Sequence, residues 1–264
     1  MDRRLNAMLL VGIAKNVKYT PAIIRNIKTW PTYFLYYLGF KKGGGKFVFR
    51  DGTTIVDNEG TASGTIAVVF IRKQYGTVVG KPTIVEIGAN IGTFAVFAAK
   101  SDKTARLYSY EPVKANYDVL LRNIAANGLQ GRVTAFNLGV ASRTEQRDFY
   151  LTSSPEHTLI KSAAAGHSVR VNCVSLSDIL RANKLSKVDL LKINCEGAEF
   201  EILYSTPKEC FELIDEIRME YHDQSAAGHN LIDLQAYLAT LGYVTTHLYR
   251  HRDDEGFLWV KKAR

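Results

Sequence analysis

Residues 83–94 read Thr-Ile-Val-Glu-Ile-Gly-Ala-Asn-Ile-Gly-Thr-Phe, and no other stretch limits the fold as strongly. Ile84, Val85 and Ile87 are β-branched, as a strand covered on both faces requires. Gly88 follows at once, then a short turn to Gly92, then the apolar run Phe94–Ala99. The order is strand, glycine turn, helix. Such a turn lets a ligand approach the backbone closely and sets it at a helix N-terminus. Taken alone, the same turn also serves a βα connection that binds nothing.

Spacing narrows the ligand. In a dinucleotide fingerprint, G-x-G-x-x-G, the three glycine positions would fall on Gly88, Asn90 and Thr93, so only one fits. A Walker A loop ends in Gly-Lys-Ser/Thr, and here Gly92 is followed by Thr93 and Phe94. Glu86, two residues before the first glycine, suits a ligand with positive charge. An acid followed by G-x-x-x-G resembles the class I methyltransferases. That resemblance implies S-adenosylmethionine, whose ammonium and sulfonium are both cations.

Charge divides the chain. Of its 34 Lys/Arg, ten lie in residues 1–50, where Asp2 is the sole acid; the remaining residues are close to balanced. The basicity is an N-terminal property, and the expected organisation is a basic, aromatic-rich helical extension over 1–44 and one domain over 45–264. Residues 5–14 are apolar behind Arg3 and Arg4, too short to span a bilayer, and read as part of an amphipathic helix rather than a cleaved leader. Trp30–Phe40 holds six aromatics and is followed by Lys41 and Lys42. Two readings stand: packing on the domain or on a second copy in a homodimer, and peripheral membrane contact through residues 1–42. Cys173, Cys195 and Cys210 have no metal spacing and imply a reducing, cytoplasmic setting, with or without membrane association.

Beyond the extension, Asp51-Gly52 within an alternating stretch marks a hairpin over 46–58, and 64–75 reads as a helix. Strand 84–87, a helix over 91–100, strand 106–110, a helix opened by Pro112 and ended by Gly128, and strand 132–138 make βαβαβ, hence a parallel sheet with right-handed crossovers. Strands follow at 146–151 and 169–174. Ser175 and Thr206 stand where helix caps belong, 188–193 and 214–221 are further core strands, and a helix spans 230–240. Residues 243–249 and 257–260 flank a turn and close the sheet. The expected fold is α/β: a Rossmann-like, seven-stranded, mostly parallel sheet with an antiparallel C-terminal hairpin and helices on both faces. Seven strands ending in a hairpin is the class I methyltransferase layout.

Ligands of doubly wound sheets bind beyond the carboxyl ends of the strands. There the sequence places Glu86, Gly88, Ala89, Asn90, Gly92 and Thr93 after one strand, Glu111 and Pro112 after the next, and Gly139 and Val140 after the third. Asn194 and Glu196 follow the fourth, Glu220 and His222 the fifth. Glu86, Glu111, Glu196 and Glu220 should converge on one edge. Glu111, 23 residues after Gly88, suits the ribose hydroxyls of an adenosine; the other reading is a charge at a helix start, worth roughly 0.3–1 kcal/mol.

Six blocks now line up: Val85–Gly92, Tyr110-Glu111-Pro112, Leu121–Leu129, Val174–Asp178, Val188–Glu199 and Glu220-Tyr221-His222. Together, over about residues 80–222, they resemble the FkbM-type methyltransferases. The resemblance implies transfer of a methyl group from S-adenosylmethionine to a hydroxyl oxygen on a sugar or small natural product. In that family Lys-Ile-Asp-x-Glu-Gly-x-Glu is usual, and here Asn194 replaces the Asp; an amide is neither a base nor a strong ligand for a hard cation. Glu86 in place of the family's Asp is a benign change.

An acceptor hydroxyl must lose its proton, and a general base contributes about 10²–10⁴-fold. His222 is the candidate base, oriented by Glu220 or Glu196; a structural histidine at a strand end is the other reading. Glu199 reads as a first-turn charge or as a group supporting the site from behind, and Glu196, Glu220 and Asn194 could hold Mg²⁺ through oxygen ligands, a set weakened by the missing Asp. Two further functions compete with O-methylation of a small-molecule or glycan acceptor. One is a cofactor-binding module without turnover, which Asn194 permits. The other is methylation of nucleic acid, which the basic N-terminus favours but the cluster of carboxylates and the absence of a Pro-Pro pair after Asn194 oppose.

Overall fold

The computed structural model describes residues 18–60, 62–151, 167–224 and 226–263. The apolar run 5–14 and nearly all of the loop 152–168 lie outside them.

The N-terminal part forms helices α1 (Thr20–Asn26) and α2 (Trp30–Tyr37), each with Pro in its first turn, then a hairpin of β1 (Gly45–Val48) and β2 (Thr54–Asp57). Val48 pairs with Thr54, and Asp51-Gly52 makes the turn, Gly52 at φ 85°. Helix α3 (Ala62–Ile66) continues as one π-helical stretch, Ala67–Ile71, and stops short of the residue 75 that periodicity gave it.

The central stretch is strand β3 (Thr83–Ile87), and Gly92, at φ 82°, starts helix α4 (Thr93–Ser101). Then come β4 (Arg106–Tyr110), α5 (Lys114–Ala126) and β5 (Val133–Phe136). Helix α5 starts two residues later than Pro112 implied, because Val113 takes the extended cap position. Gly139–Val140 is a short strand, β6, which with β7 (Glu145–Leu151) and β8 (His167–Val174) makes a separate three-stranded sheet in the order β6-β8-β7. Ser175 caps α6 (Leu176–Ala182) by accepting from the Asp178 N–H, as its position implied.

Strand β9 (Leu190–Ile193) leads to α7 (Glu199–Ser205), α8 (Lys208–Phe211), β10 (Glu216–His222), α9 (Leu231–Thr240), β11 (Tyr243–Arg250) and β12 (Glu255–Lys262). Thr206 is no N-cap: its Oγ1 donates to the Ile202 carbonyl, 2.7 Å away, and ends α7, while Pro207 precedes α8.

The main sheet has seven strands in the order β11-β12-β10-β9-β3-β4-β5. The five from β10 to β5 are parallel; β12 runs antiparallel between β10 and β11. Burial on both faces explains the apolar runs. In β3, Ile84 enters one core with α1, α2, α4 and α5, while Val85 and Ile87 enter the other with α6, α7 and α9. Ile23, Ile27, Tyr33 and Tyr36 of the basic segment share the Ile84 core, so packing accounts for the inner side of the aromatic helix.

Candidate active site

The site is built where β3 and β9 end. Gly88 sits at φ 74°, and a Cβ there would stand 1.7 Å from the Asn194 carbonyl oxygen. Only glycine allows the ends of the two strands to come so close. The N–H groups of Gly88 and Ala89 both donate to Tyr110 O, which draws the turn toward the end of β4. Asn90 (φ 50°) and Glu196 (φ 54°) adopt the left-handed conformation that non-glycine residues rarely hold. Such backbone persists where surrounding contacts enforce it, and here it turns both loops toward one opening.

Two cavities flank this junction, sharing Gly88, Asn90 and Asn194 as their common wall. The first is also lined by Glu111, Pro112, Gly139, Val140, Phe149 and Glu196. The second, about 750 Å³, is also lined by Glu86, Ala89 and Thr93, together with Thr65, Tyr75, Phe94, Lys192 and Glu220. The residues proposed for one cofactor are thus divided between adjoining spaces. Gly92 lines neither; it starts α4 against Leu120. The four carboxylates form two pairs, Glu111 with Glu196 and Glu86 with Glu220, one on each side of the shared wall.

Glu111 is nearly fully buried. Its Oε2 accepts the Asn90 N–H at 2.7 Å and its Oε1 the Val113 N–H at 3.0 Å. Burial pushes its carboxyl up to about 7, although the two backbone donors oppose the rise. A rim carboxylate fixed in this way still has lone pairs to offer hydroxyl donors.

Glu86 is fully buried as well. Ser109 Oγ donates to it at 2.7 Å, and Lys192 Nζ stands 3.8 Å away. Burial raises its pKa against the pull of Lys192. Sequence reasoning left Lys192 without a role. Its ammonium, almost wholly buried, donates to Gly88 O at 2.8 Å and stands 5.4 Å above the Tyr75 ring. The signal was available: one lysine in the otherwise apolar strand Leu190–Ile193. Glu86 therefore already has a cation beside it within the chain. Its Oε1 and the Asn194 Oδ1 are buried without a hydrogen bond to any described residue.

Glu220 accepts from Asn194 Nδ2 at 2.7 Å and lies 3.5 Å from Tyr75 Oη. Burial raises its carboxyl to about 7. It does not orient His222, as one reading had it. His222 is gripped by Glu199, with Nδ1 to Oε1 at 3.1 Å, and by Glu196, with Nε2 to Oε2 at 3.3 Å. Burial alone would lower the His222 pKa, but Glu199, Glu196 and Glu220 outweigh it and hold the value near 10. At neutral pH the ring is an imidazolium with a carboxylate at each nitrogen, and an imidazolium cannot accept a proton. Glu199, in the first turn of α7, is fully buried and also accepts the Cys195 N–H at 3.1 Å, so it supports the site from behind, one of the two roles expected of it.

Among the described residues, no three His, Cys, Asp or Glu side chains gather to hold a metal ion. The Mg²⁺ expectation finds no support in the geometry either, because Asn194 directs an N–H at Glu220 where a metal would need a lone pair. No helix among the described residues is long and apolar enough to cross a membrane.

The residues present suit an elongated nucleoside with an amino-acid tail. The buried carboxylate Glu111 lies at one end, backbone free of Cβ at the middle, and orphaned Glu86 and Asn194 oxygens beside the Lys192 ammonium at the other.

Comparison with known proteins bears on the family and the fold. A family model described as the methyltransferase FkbM domain matches residues 86–245. Methyltransferase sdnD of Sordaria araneosa is 29% identical over 175 residues, which cover 54% of this chain and 68% of that protein. The 31-O-demethyl-FK506 methyltransferase FkbM of Streptomyces tacrolimicus is 22% identical over 180 residues, 57% of this chain and 69% of that one. Among solved structures, a methyltransferase FkbM from Methylobacillus flagellatus KT shares the fold with a TM-score of 0.51 at 14% identity. The match covers 94% of this chain but 59% of that longer one.

Proposed function

The chain belongs to the FkbM methyltransferase family, and from that premise we propose that it methylates a hydroxyl oxygen on a small organic acceptor, a sugar or a natural product. The observation that supports this most is the pair of cavities meeting at Gly88 and Asn194, with Glu111 in one and Glu220 in the other. By its name, the Streptomyces relative is a methyltransferase of 31-O-demethyl-FK506, which favours an oxygen as the acceptor atom.

In this reading Glu111 accepts the ribose hydroxyls, and Gly88 and Asn90 bring bare backbone against the cofactor. Lys192, Asn194 and Glu86 provide the polar contacts for its amino-acid end. S-adenosylmethionine supplies an electrophilic methyl on a sulfonium sulfur. Holding the acceptor oxygen in line with that methyl is worth about 7–11 kcal/mol in reactions of this type. Forming the ether releases the hydroxyl proton, and Glu220 takes it. A base should have a pKa near the working pH, and Glu220, near 7, meets that requirement where His222, near 10, does not. His222 instead pins Glu196 and Glu199, which fixes the loop between β9 and α7. Asn194 fits the same division of labour. A carboxylate there would oppose ionisation of Glu220, whereas the amide donates to it.

The test is calorimetric titration with S-adenosylmethionine, followed by transfer of labelled methyl to a panel of hydroxylated small molecules and to RNA. Saturable binding, weakened at least tenfold by Glu111→Ala, is expected, since losing a hydrogen bond to a charged group costs about 1.5–3 kcal/mol. No binding, unchanged affinity in the variant, or label found in RNA alone would overturn the proposal.

A further inference from the structure

Helix α2 is apolar on both sides, and only one side is used. Tyr33 and Tyr36 turn inward and are buried. On the outward side Trp30 is 36% and Leu35 46% exposed, and Phe40, just beyond the helix, is 71% exposed. Ile24 on α1 is 37% exposed. Helix α2 itself bears no charged side chain, yet Lys28 precedes it and Lys41 and Lys42 follow it, all three exposed. From Arg3 to Arg50 every Asp/Glu/Lys/Arg residue is Lys or Arg.

We infer that the outer face of α1 and α2 docks on an anionic lipid bilayer, with Trp30, Leu35 and Phe40 entering the headgroup layer and Lys28, Lys41 and Lys42 meeting the lipid phosphates. Indole and phenyl rings beside lysines are the chemistry of a membrane interface, where an amphipathic ring sits at headgroup level and long cationic side chains reach the phosphates. Charge complementarity selects this occupant over a second copy. A twofold contact through this face would set one all-basic segment against its duplicate, which like charges oppose. The apolar outer stripe likewise suits a lipid interface better than a nucleic-acid backbone, which calls for cations alone. The sequence before residue 18, with Arg3, Arg4 and Lys15 around an apolar run, has the same chemistry. The face is connected to the site, since α2 packs on α3 and α3 contributes Thr65, Val68 and Val69 to the second cavity.

The experiment is co-sedimentation of the full chain with vesicles of phosphatidylcholine alone and of phosphatidylcholine with phosphatidylserine, read alongside tryptophan emission. Binding should require the anionic lipid and fall steeply with added salt. The emission should shift to the blue on binding, and Trp30→Phe should remove the shift, leaving Trp259 as the remaining indole. Lys41→Glu with Lys42→Glu should lower partitioning at least about 25-fold, from roughly fivefold for each lysine near a charged surface. Leu35→Asp with Phe40→Asp should lower it comparably. Because Lys42 and Phe40 are well exposed, while Lys41 only lies over the Tyr36 ring and Leu35 is about half covered, the thermal midpoint should fall by no more than a few degrees in either double variant. Four results would each overturn the inference: no binding by the intact chain, equal binding to neutral vesicles, retained binding in the Leu35/Phe40 variant, or light scattering that shows those variants breaking a dimer. None of them depends on methyl transfer, so the docking can fail while the catalytic reading stands.

Discussion

The dependence of turnover on pH distinguishes the two candidate bases. Burial holds Glu220 at about 7, and its carboxylate neighbours hold His222 at about 10. If Glu220 takes the proton, turnover at saturating cofactor and acceptor follows its ionised fraction. That fraction rises from about one-eleventh at pH 6 to about ten-elevenths at pH 8, a roughly tenfold gain followed by a plateau. If His222 were the base, turnover would climb about tenfold with each pH unit from 6 to 9, roughly a thousandfold in all, with no plateau. Stability adds an independent readout. The raised pKa values of Glu111 and Glu220 favour their neutral forms in the folded chain, so their contribution to stability is full at acid pH and is lost as pH rises through about 7. His222, also raised, adds stability that is full below about 6.5 and lost as pH rises through about 10. All three signs agree, so the ligand-free chain should melt progressively earlier as pH rises from about 4.5 to about 10, the two carboxyls acting up to about 7 and His222 above it. The assay is methyl transfer at saturation across pH 6–9, with Glu220→Gln in parallel. A log-linear rise without a plateau, or a Glu220→Gln variant that keeps the wild-type profile, would refute the assignment.

Two further predictions rest on close contacts. Asn194→Asp places a second carboxylate against Glu220, 2.7 Å from the present amide nitrogen, and like charges that close resist joint ionisation. The acid limb of the pH–rate curve should move up by a unit or more, and an unmoved limb would separate Asn194 from the proton acceptor. Gly88 and Gly80 share φ 74°, but a Cβ at Gly80 meets nothing within 4 Å, whereas at Gly88 it meets the Asn194 carbonyl. Gly80→Ala should cost about 1–2 kcal/mol for the left-handed residue, and Gly88→Ala at least about 1–3 kcal/mol more. Calorimetric melting that shows equal losses would mean that the ends of β3 and β9 can separate freely.

The sheet was legible because its pattern is local. β-branched runs gave β3, and glycine and proline punctuated the units that follow. That Gly88, Glu111, Gly139 and Asn194 would line one crevice was legible because strand ends in such a sheet meet there. Pairings across the sheet were not. Nothing near Lys192 in the chain announces that its ammonium meets Glu86, 106 residues earlier, and the Gly88 carbonyl. Which of the two readings of His222 the packing would favour was hidden for a related reason. A histidine at a strand end looks like a base until the packing of α7 brings Glu199 against one nitrogen and the left-handed turn at Glu196 brings a second carboxylate to the other. Thr206-Pro207 shows the limit of short motifs: the same residues can close one helix or open the next, and the Ile202 carbonyl took the hydroxyl.

The position of β12 between β10 and β11 has a consequence for the order of assembly. Strand β11 is made before β12, yet in the sheet its neighbour is β12. Strand β12 also supplies Trp259, whose indole N–H donates to Gln74 O and whose ring lies under the Arg218 guanidinium, which in turn holds the Tyr75 and Thr77 carbonyls. Tyr75 faces the second cavity. Without residues 255–262, β11 has no neighbour in the sheet, and Arg218 holds the Tyr75 carbonyl with neither the Trp259 ring beneath it nor the indole N–H on Gln74. The wall of the second cavity at Tyr75 therefore gains its last support from the strand that is made last.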